Sequence, residues 1–242
     1  METRVDEVAS DIFRLSTYIP DADMTFNQYV VRAEQPLLFH TGMRALFPLV
    51  SEAVARVVPI AELRWITFGH VEADECGAMN MFLAATPDAR VAHGATACAV
   101  QVNDWADRAP VPLAADQVMD LGGKVVRNID TPQLPHGWDA HVLYEETTRT
   151  LLCGDLFTQM GPTAVLTSDD LIEPALAAER HYGPTALTPT TGPMIRSLAD
   201  LAPQRLALMH GPVYAGDAAH ALVELAEGYE AMLDAAESAV RI

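Results

Sequence analysis

Residues 68–80 read FGHVEADECGAMN, and the reading of the whole chain turns on them. They follow an apolar run, Leu63–Phe68 (LRWITF), that reads as a buried strand, and they lead into Cys76–Ala85, which reads as a short helix. Between the two lie His70, Glu72, Asp74 and Glu75, four metal-ligand types within six residues. In an extended segment alternate residues share a face, so His70, Glu72 and Asp74 point the same way. The turn into the helix then brings Glu75 towards the same place. Carboxylates this close repel one another, and a metal ion is the cation that best offsets the repulsion. The competing reading is a solvated acidic loop with an incidental histidine.

Outward from this segment, the chain is strand-rich first and helical later, twice over. Asp11–Ser16, Thr25–Arg32 and Pro36–His40 read as strands, and Arg44–Val57 has a helical apolar stripe. Ala89–His93 is a further short strand. In the second half Lys124–Ile129, His141–Glu145, Thr150–Cys153 and Arg205–Met209 read as strands. Ser168–Tyr182 and Pro193–Leu201 read as helices, and Asp217 reads as the N-cap of a last helix. Pro and Gly mark turns and nowhere form a linker. The expectation is a single α/β domain over residues 1–242, with two packed sheets and helices outside.

The composition narrows the function. There are 15 basic and 33 acidic residues, a formal net charge of −18, and Lys124 is the sole lysine. Nucleic-acid and anionic-membrane surfaces need basic patches, so neither partner is expected. No apolar run is long enough for a membrane span. The N-terminus lacks the pattern of a signal peptide. Three cysteines far apart make neither a disulfide framework nor a structural zinc cluster. A reducing cytoplasm is the expected compartment.

Three distal residues complete a candidate metal site. His210 closes an apolar strand and precedes Gly211-Pro212. Asp155 follows Gly154 after the strand TLLC, and His136 sits in the loop LPHGWD. Strand ends and loops are where functional groups gather on a sheet scaffold. Alone, each has an ordinary structural reading; together they form a donor set. His141 competes with His136. His93, His181 and His220 have no ligand-type neighbours and read as surface or core residues. Cys76 reads as a packing or capping residue, and Met79, Met160, Trp138 and Tyr214 as pocket walls.

The ordered set of motifs resembles the metallo-β-lactamase superfamily, and within it the di-iron branch. That branch comprises the N-terminal domain of flavodiiron proteins and the stand-alone oxygen-binding di-iron proteins. The hydrolase branch shows His-x-His-x-Asp-His; this chain reads His70-Val-Glu72-Ala-Asp74, the di-iron pattern. Thr131-Pro132…His136, Gly154-Asp155 and His210-Gly211 follow in the family's order, and TFNQYVV resembles its first hairpin. The resemblance covers about residues 10–235 and implies a four-layer αββα sandwich of two mixed sheets flanked by helices. It implies that His70, Glu72 and His136 hold one metal, that Asp74 and His210 hold a second, and that Asp155 bridges them. Two positions depart from it. Glu75 stands where the family has a histidine, as a replacement ligand or as a non-ligand. His40-Thr41 stands where many members have Asp-Thr.

The implied set has three imidazoles and up to four carboxylates, which suits iron or manganese better than nitrogen-rich zinc sites, although zinc also binds such sites. The expected function is a non-haem di-iron protein that binds, and with an external electron donor reduces, O2 or NO. No flavodoxin domain and no bound flavin are expected in this chain, and a homodimer is the default. The alternative is a dinuclear zinc hydrolase acting on an ester, thioester, lactone or phosphodiester, with Asp74 as general base.

Overall fold

The first sheet grows outward from a meander of strands that alternate between two apolar faces. The structure is a computed structural model and describes residues 1–240. Strands β1 (Thr3–Ala9), β2 (Ile12–Ile19), β3 (Met24–Val31), β4 (Leu37–Phe39), β5 (Trp65–Thr67), β6 (Arg90–Gly94) and β7 (Val111–Leu113) lie side by side in chain order. The first four pair antiparallel and the last four parallel. The second sheet holds β8 (Val118–Asp120), β9 (Val125–Asp130), β10 (His141–Glu145), β11 (Thr150–Leu152), β12 (Leu166–Thr167), β13 (Arg205–Ala207) and β14 (Val213–Tyr214). Its order is β12-β14-β13-β11-β10-β9-β8. The β11–β13 and β12–β14 pairs are parallel and the others antiparallel, so both sheets are mixed.

Residue alternation along the strands fixes the layers. On β4, Leu37 and Phe39 pack between the sheets while Leu38 faces α1 (Phe47–Ala55). On β11, Leu152 packs between the sheets while Leu151 faces the helices of the second half. Both faces of each sheet are therefore buried, which explains why these strands read as continuous apolar runs. Leu37, Leu38 and Phe39 are fully buried, and each such side chain contributes about 1.5–3 kcal/mol. Short helices α2 (Ala73–Cys76) and α3 (Met79–Ala85) follow β5. A helical stretch from α4 (Ala95–Ala97) to α5 (Asn103–Trp105) follows β6. Helices α6 (Ile172–Tyr182), α7 (Thr191–Ala199) and α8 (Ala218–Val240) cover the second sheet. The result is the expected sandwich of two sheets with helices outside.

Several elements differ from the sequence reading. The charged strand TRVDEVA (β1) was not expected; half its residues face solvent, so no apolar run announces it. Cys76–Ala85 is not one helix: α2 ends at Cys76 and α3 begins at Met79. Asp217 does cap α8, accepting from His220 N–H at 3.0 Å. Among the described residues no helix is long and apolar enough to cross a membrane.

Candidate metal centre

Backbone bonds between the sheets bring the motif ends to one edge. His141 N–H donates to Gly69 O at 2.8 Å, tying the end of β5 to the start of β10. Asn27 N–H donates to Met209 O at 3.0 Å, and Met209 N–H to Gly154 O at 3.0 Å. These bonds gather His70, Asp155 and His210, one from each of three strand ends. The loop after β9 delivers His136. Its Gly137 has φ +83°, and a Cβ there would stand 3.3 Å from His70 Cβ, so the loop approaches His70 more closely than a side chain allows.

Donor atoms converge on two sides of Asp155. On the first side, Glu72 Oε2 lies 2.8 Å from His70 Nε2 and 3.0 Å from His136 Nε2. Asp155 Oδ2 completes this group, 3.9 Å from His70 Nε2 and 3.7 Å from His136 Nε2. All four donor atoms lie within 4.8 Å of one another. On the second side, His210 Nε2 lies 3.3 Å from Asp74 Oδ2 and 3.3 Å from Asp155 Oδ1. The two oxygens of one carboxylate thus face two different donor groups.

The structure does not bring Glu75 into either group, contrary to its expected place among the ligands. Adjacent residues of a helix point about 100° apart, so α2 aims Asp74 at His210 and turns Glu75 into the protein. There its Oε2 accepts from His70 N–H at 2.6 Å, and its Oε1 lies 3.2 Å from His70 Nδ1. His141 is also not in the group: it is buried, 3.4 Å from Thr67 Oγ1 and stacked on buried His93. Cys76 is buried in the core of the first half.

The charges of the site are arranged for a cation. Thr25 O can only accept, so His210 Nδ1, 3.0 Å away, carries the proton and Nε2 faces the two carboxylates. Burial opposes a charge on His210, but Asp155 and Asp74 overrule it and push its pKa up to about 10. Burial likewise opposes a charge on His70, and Glu75, Glu72 and Asp155 overrule it, to about 12. Burial would raise Asp155, yet His210, His70 and His136 hold it down at about 2. Hydrogen bonds from His136 and His70 hold the Glu72 carboxyl well below the usual carboxylate range. Protons on imidazoles here occupy positions between lone pairs that a metal ion would otherwise fill. Asp74 Oδ1 and Asp155 Oδ1 are buried with no hydrogen-bond partner. Asp155 Oδ1 faces His210 Nε2, and buried carboxylate oxygens left without hydrogen bonds beside imidazoles are a donor set that fits metal ions.

The cavity over the site has a volume of about 220 Å³ and is walled by Met24, Pro135, Tyr182, Pro184 and Tyr229 besides the donors. The expected walls Met79, Met160, Trp138 and Tyr214 are not among them. Met79 lines a separate groove of about 720 Å³, and Met160 and Trp138 are exposed. Sequence adjacency to a donor found only Pro135, beside His136; the other walls come from β3, from α6 and the residues after it, and from α8, all distant in sequence from the motif. Sequence reading also missed buried Arg14 and Asn27. Arg14 donates to Gly211 O at 2.9 Å, and Asn27 donates to both Leu208 O and Gly211 O, so the two clamp the loop that carries His210.

Comparison with known proteins places the chain. A profile described as ODP family beta lactamase matches residues 24–188. The chain belongs to this family. The matched span holds every expected donor except His210. Among solved structures the ODP-family chain is similar in fold to rubredoxin oxygen:oxidoreductase from Desulfovibrio gigas, with a TM-score of 0.81 at 15% identity. That match covers 94% of this chain and 62% of the other, so the chain spans about three fifths of that relative's length. A putative diflavin flavoprotein fragment from Nostoc sp. PCC 7120 matches at TM-score 0.78 and 16% identity, over 100% of this chain and 99% of that one. A di-iron form of the chemotaxis sensor ODP matches at TM-score 0.73 and 19% identity, over 93% and 94%. The fold is thus that of flavodiiron cores and of this sensor. Curated proteins give no match.

Proposed function

We propose that this ODP-family protein is a non-haem di-iron protein that binds O2 or NO at a carboxylate-rich dinuclear centre. In this reading His70, Glu72 and His136 hold one iron, Asp74 and His210 hold the other, and Asp155 lies between. The observation that carries it is the divided Asp155 carboxylate, with Oδ2 facing one donor group and Oδ1 the other. Its structural relatives, a rubredoxin oxygen:oxidoreductase and a di-iron chemotaxis sensor, support it. Ferrous iron, when bound, supplies electrons and open coordination positions for a diatomic ligand.

The chain's own residues do the rest. Thr25 O fixes the His210 tautomer so that Nε2 faces the site. Met24, Pro135 and Pro184 make part of the cavity apolar, which suits a small uncharged ligand and limits water. Three imidazoles with three carboxylates favour iron over zinc, whose hydrolytic sites are richer in nitrogen. Sustained reduction would draw electrons from a separate donor protein, and a homodimer is the proposed assembly. The test is to load the protein with Fe(II) without air, then add O2 or NO and record the visible spectrum. A change that saturates at one equivalent of gas per chain is expected. No spectral change, together with ester or phosphodiester hydrolysis by zinc-loaded protein, would overturn the reading in favour of a hydrolase.

A further inference from the structure

Behind the donors lies a second polar group that takes no part in them. The Glu75 side chain is fully buried; His70 and His40 stand within ion-pair distance of its carboxylate, and the Asp155 carboxylate acts on it from farther away. Oε2 accepts from the His70 backbone N–H at 2.6 Å, and Oε1 stands 3.2 Å from His70 Nδ1. His40 Nε2 stands 3.5 Å from the same Oε1. Gly69 leaves the room this needs: a Cβ there would stand 3.1 Å from both carboxylate oxygens. His40 is itself buried and held at φ +66°, a conformation rare for a histidine and found where surrounding structure enforces it. Its other ring nitrogen lies 2.8 Å from Met209 Sδ, and Met209 precedes His210.

A buried carboxylate is costly unless it is paired, and this one meets a ligand-type histidine twice: Oε2 accepts from the His70 backbone N–H, and Oε1, which has no hydrogen-bond partner, stands at ion-pair distance from its ring. A carboxylate on the far nitrogen of a ligating imidazole fixes the ring's tautomer and orientation and makes it a stronger donor. We propose that Glu75 is a positioning residue that fixes His70 from behind, and that His40 acts through Glu75, so that the two form one device. The proposal deepens the di-iron reading and rests on His70 being a ligand. It gives the two departures from the family pattern a common cause: His40 and Glu75, distant in sequence, are partners in space.

The test titrates metal-free protein with Fe(II) alone, without air, for wild type, Glu75→Gln, His40→Asn and the double variant. The ring nitrogens of His70 are followed by NMR in the metal-free state. Glu75→Gln is expected to bind two Fe(II) per chain still, one of them about 10–100-fold more weakly. His40→Asn weakens the same ion by less, and the double variant is no weaker than Glu75→Gln. The His70 Nδ1–H resonance moves upfield in Glu75→Gln. If that variant binds one Fe(II) only, Glu75 is a ligand and the proposal falls. Additive losses in the double variant, or an unmoved His70 resonance, also overturn it. If wild type binds no Fe(II), the di-iron reading fails, and the NMR arm still decides whether Glu75 holds His70. Should Glu75→Gln not fold, Gly69→Ala displaces the same carboxylate with its charge intact. It is expected to weaken the same ion, and an unchanged affinity would overturn the proposal.

Discussion

The two sides of Asp155 are built differently. On one side His70 and His136 crowd within hydrogen-bond distance of a single Glu72 oxygen, and Glu75 stands behind His70. On the other side stand only Asp74 and His210, each 3.3 Å or less from its neighbour's nearest atom in a chain of two contacts through His210 Nε2. The dense side draws three of its donors from two short loops. The sparse side depends on a loop that Arg14 and Asn27 clamp from the opposite sheet. The dense side is aimed by a carboxylate behind one of its own donors, whereas the sparse side is aimed by a clamp from the opposite sheet.

The largest effect should come from the residue both sides share. Asp155→Asn keeps the shape but removes the charge, and it is expected to weaken both ions beyond the roughly 10–100-fold that supporting residues command. Metal analysis of the purified variant checks this, and an unchanged content would remove Asp155 from the shared position. Next, His210→Ala should empty the sparse side alone, leaving one ion per chain by the same analysis. Loss of both ions would show that the two sides fill only together.

Arg14→Met probes the clamp. It strips hydrogen bonds from Asn27 Oδ1, Gly211 O and Ala164 O; Gly211 O keeps its Asn27 donor, and leaving buried Asn27 Oδ1 without its donor costs about 1–3 kcal/mol. Urea denaturation should show that loss, with weaker binding of the sparse-side ion and an unchanged dense-side ion. Equal weakening of both ions would contradict the difference drawn between the sides.

A smaller effect concerns protons. With pKa values pushed to about 12 and about 10, His70 and His210 are both charged at pH 7 in the metal-free chain. Metal ions must displace these protons, so uptake should release about two protons per chain in weak buffer, and affinity should rise with pH. The sign for stability is opposite. The contribution of the metal-free His210 contacts is fully present below the unfolded histidine pKa of about 6.5 and is lost as pH rises through about 10. Thermal melts of metal-free protein across that range check it; rising stability towards pH 10 would contradict it.

Much of this was legible in the sequence, for physical reasons. Strands buried on both faces carry apolar runs, as Val142–Tyr144 does inside His141–Glu145, and that strand was read with its observed bounds. His70, Glu72 and Asp74 were legible as ligand types clustered at a strand end, but not through alternation on one face: Asp74 lies on α2 and faces His210 on the other side of Asp155. The strand β1 was not, because it is an edge strand whose residues mostly meet solvent. Glu75 was misplaced because the helix begins at Ala73, earlier than its composition suggests, and rotates it away. Tyr182 and Tyr229 at the cavity could not be seen, since only the packing of α6 and α8 on the second sheet brings them there.

The central claim is that two iron ions share Asp155. Its most direct test is elemental analysis of protein expressed in iron-supplemented medium. Close to two irons per chain are expected, and close to two zincs with iron in excess would overturn the shared di-iron centre.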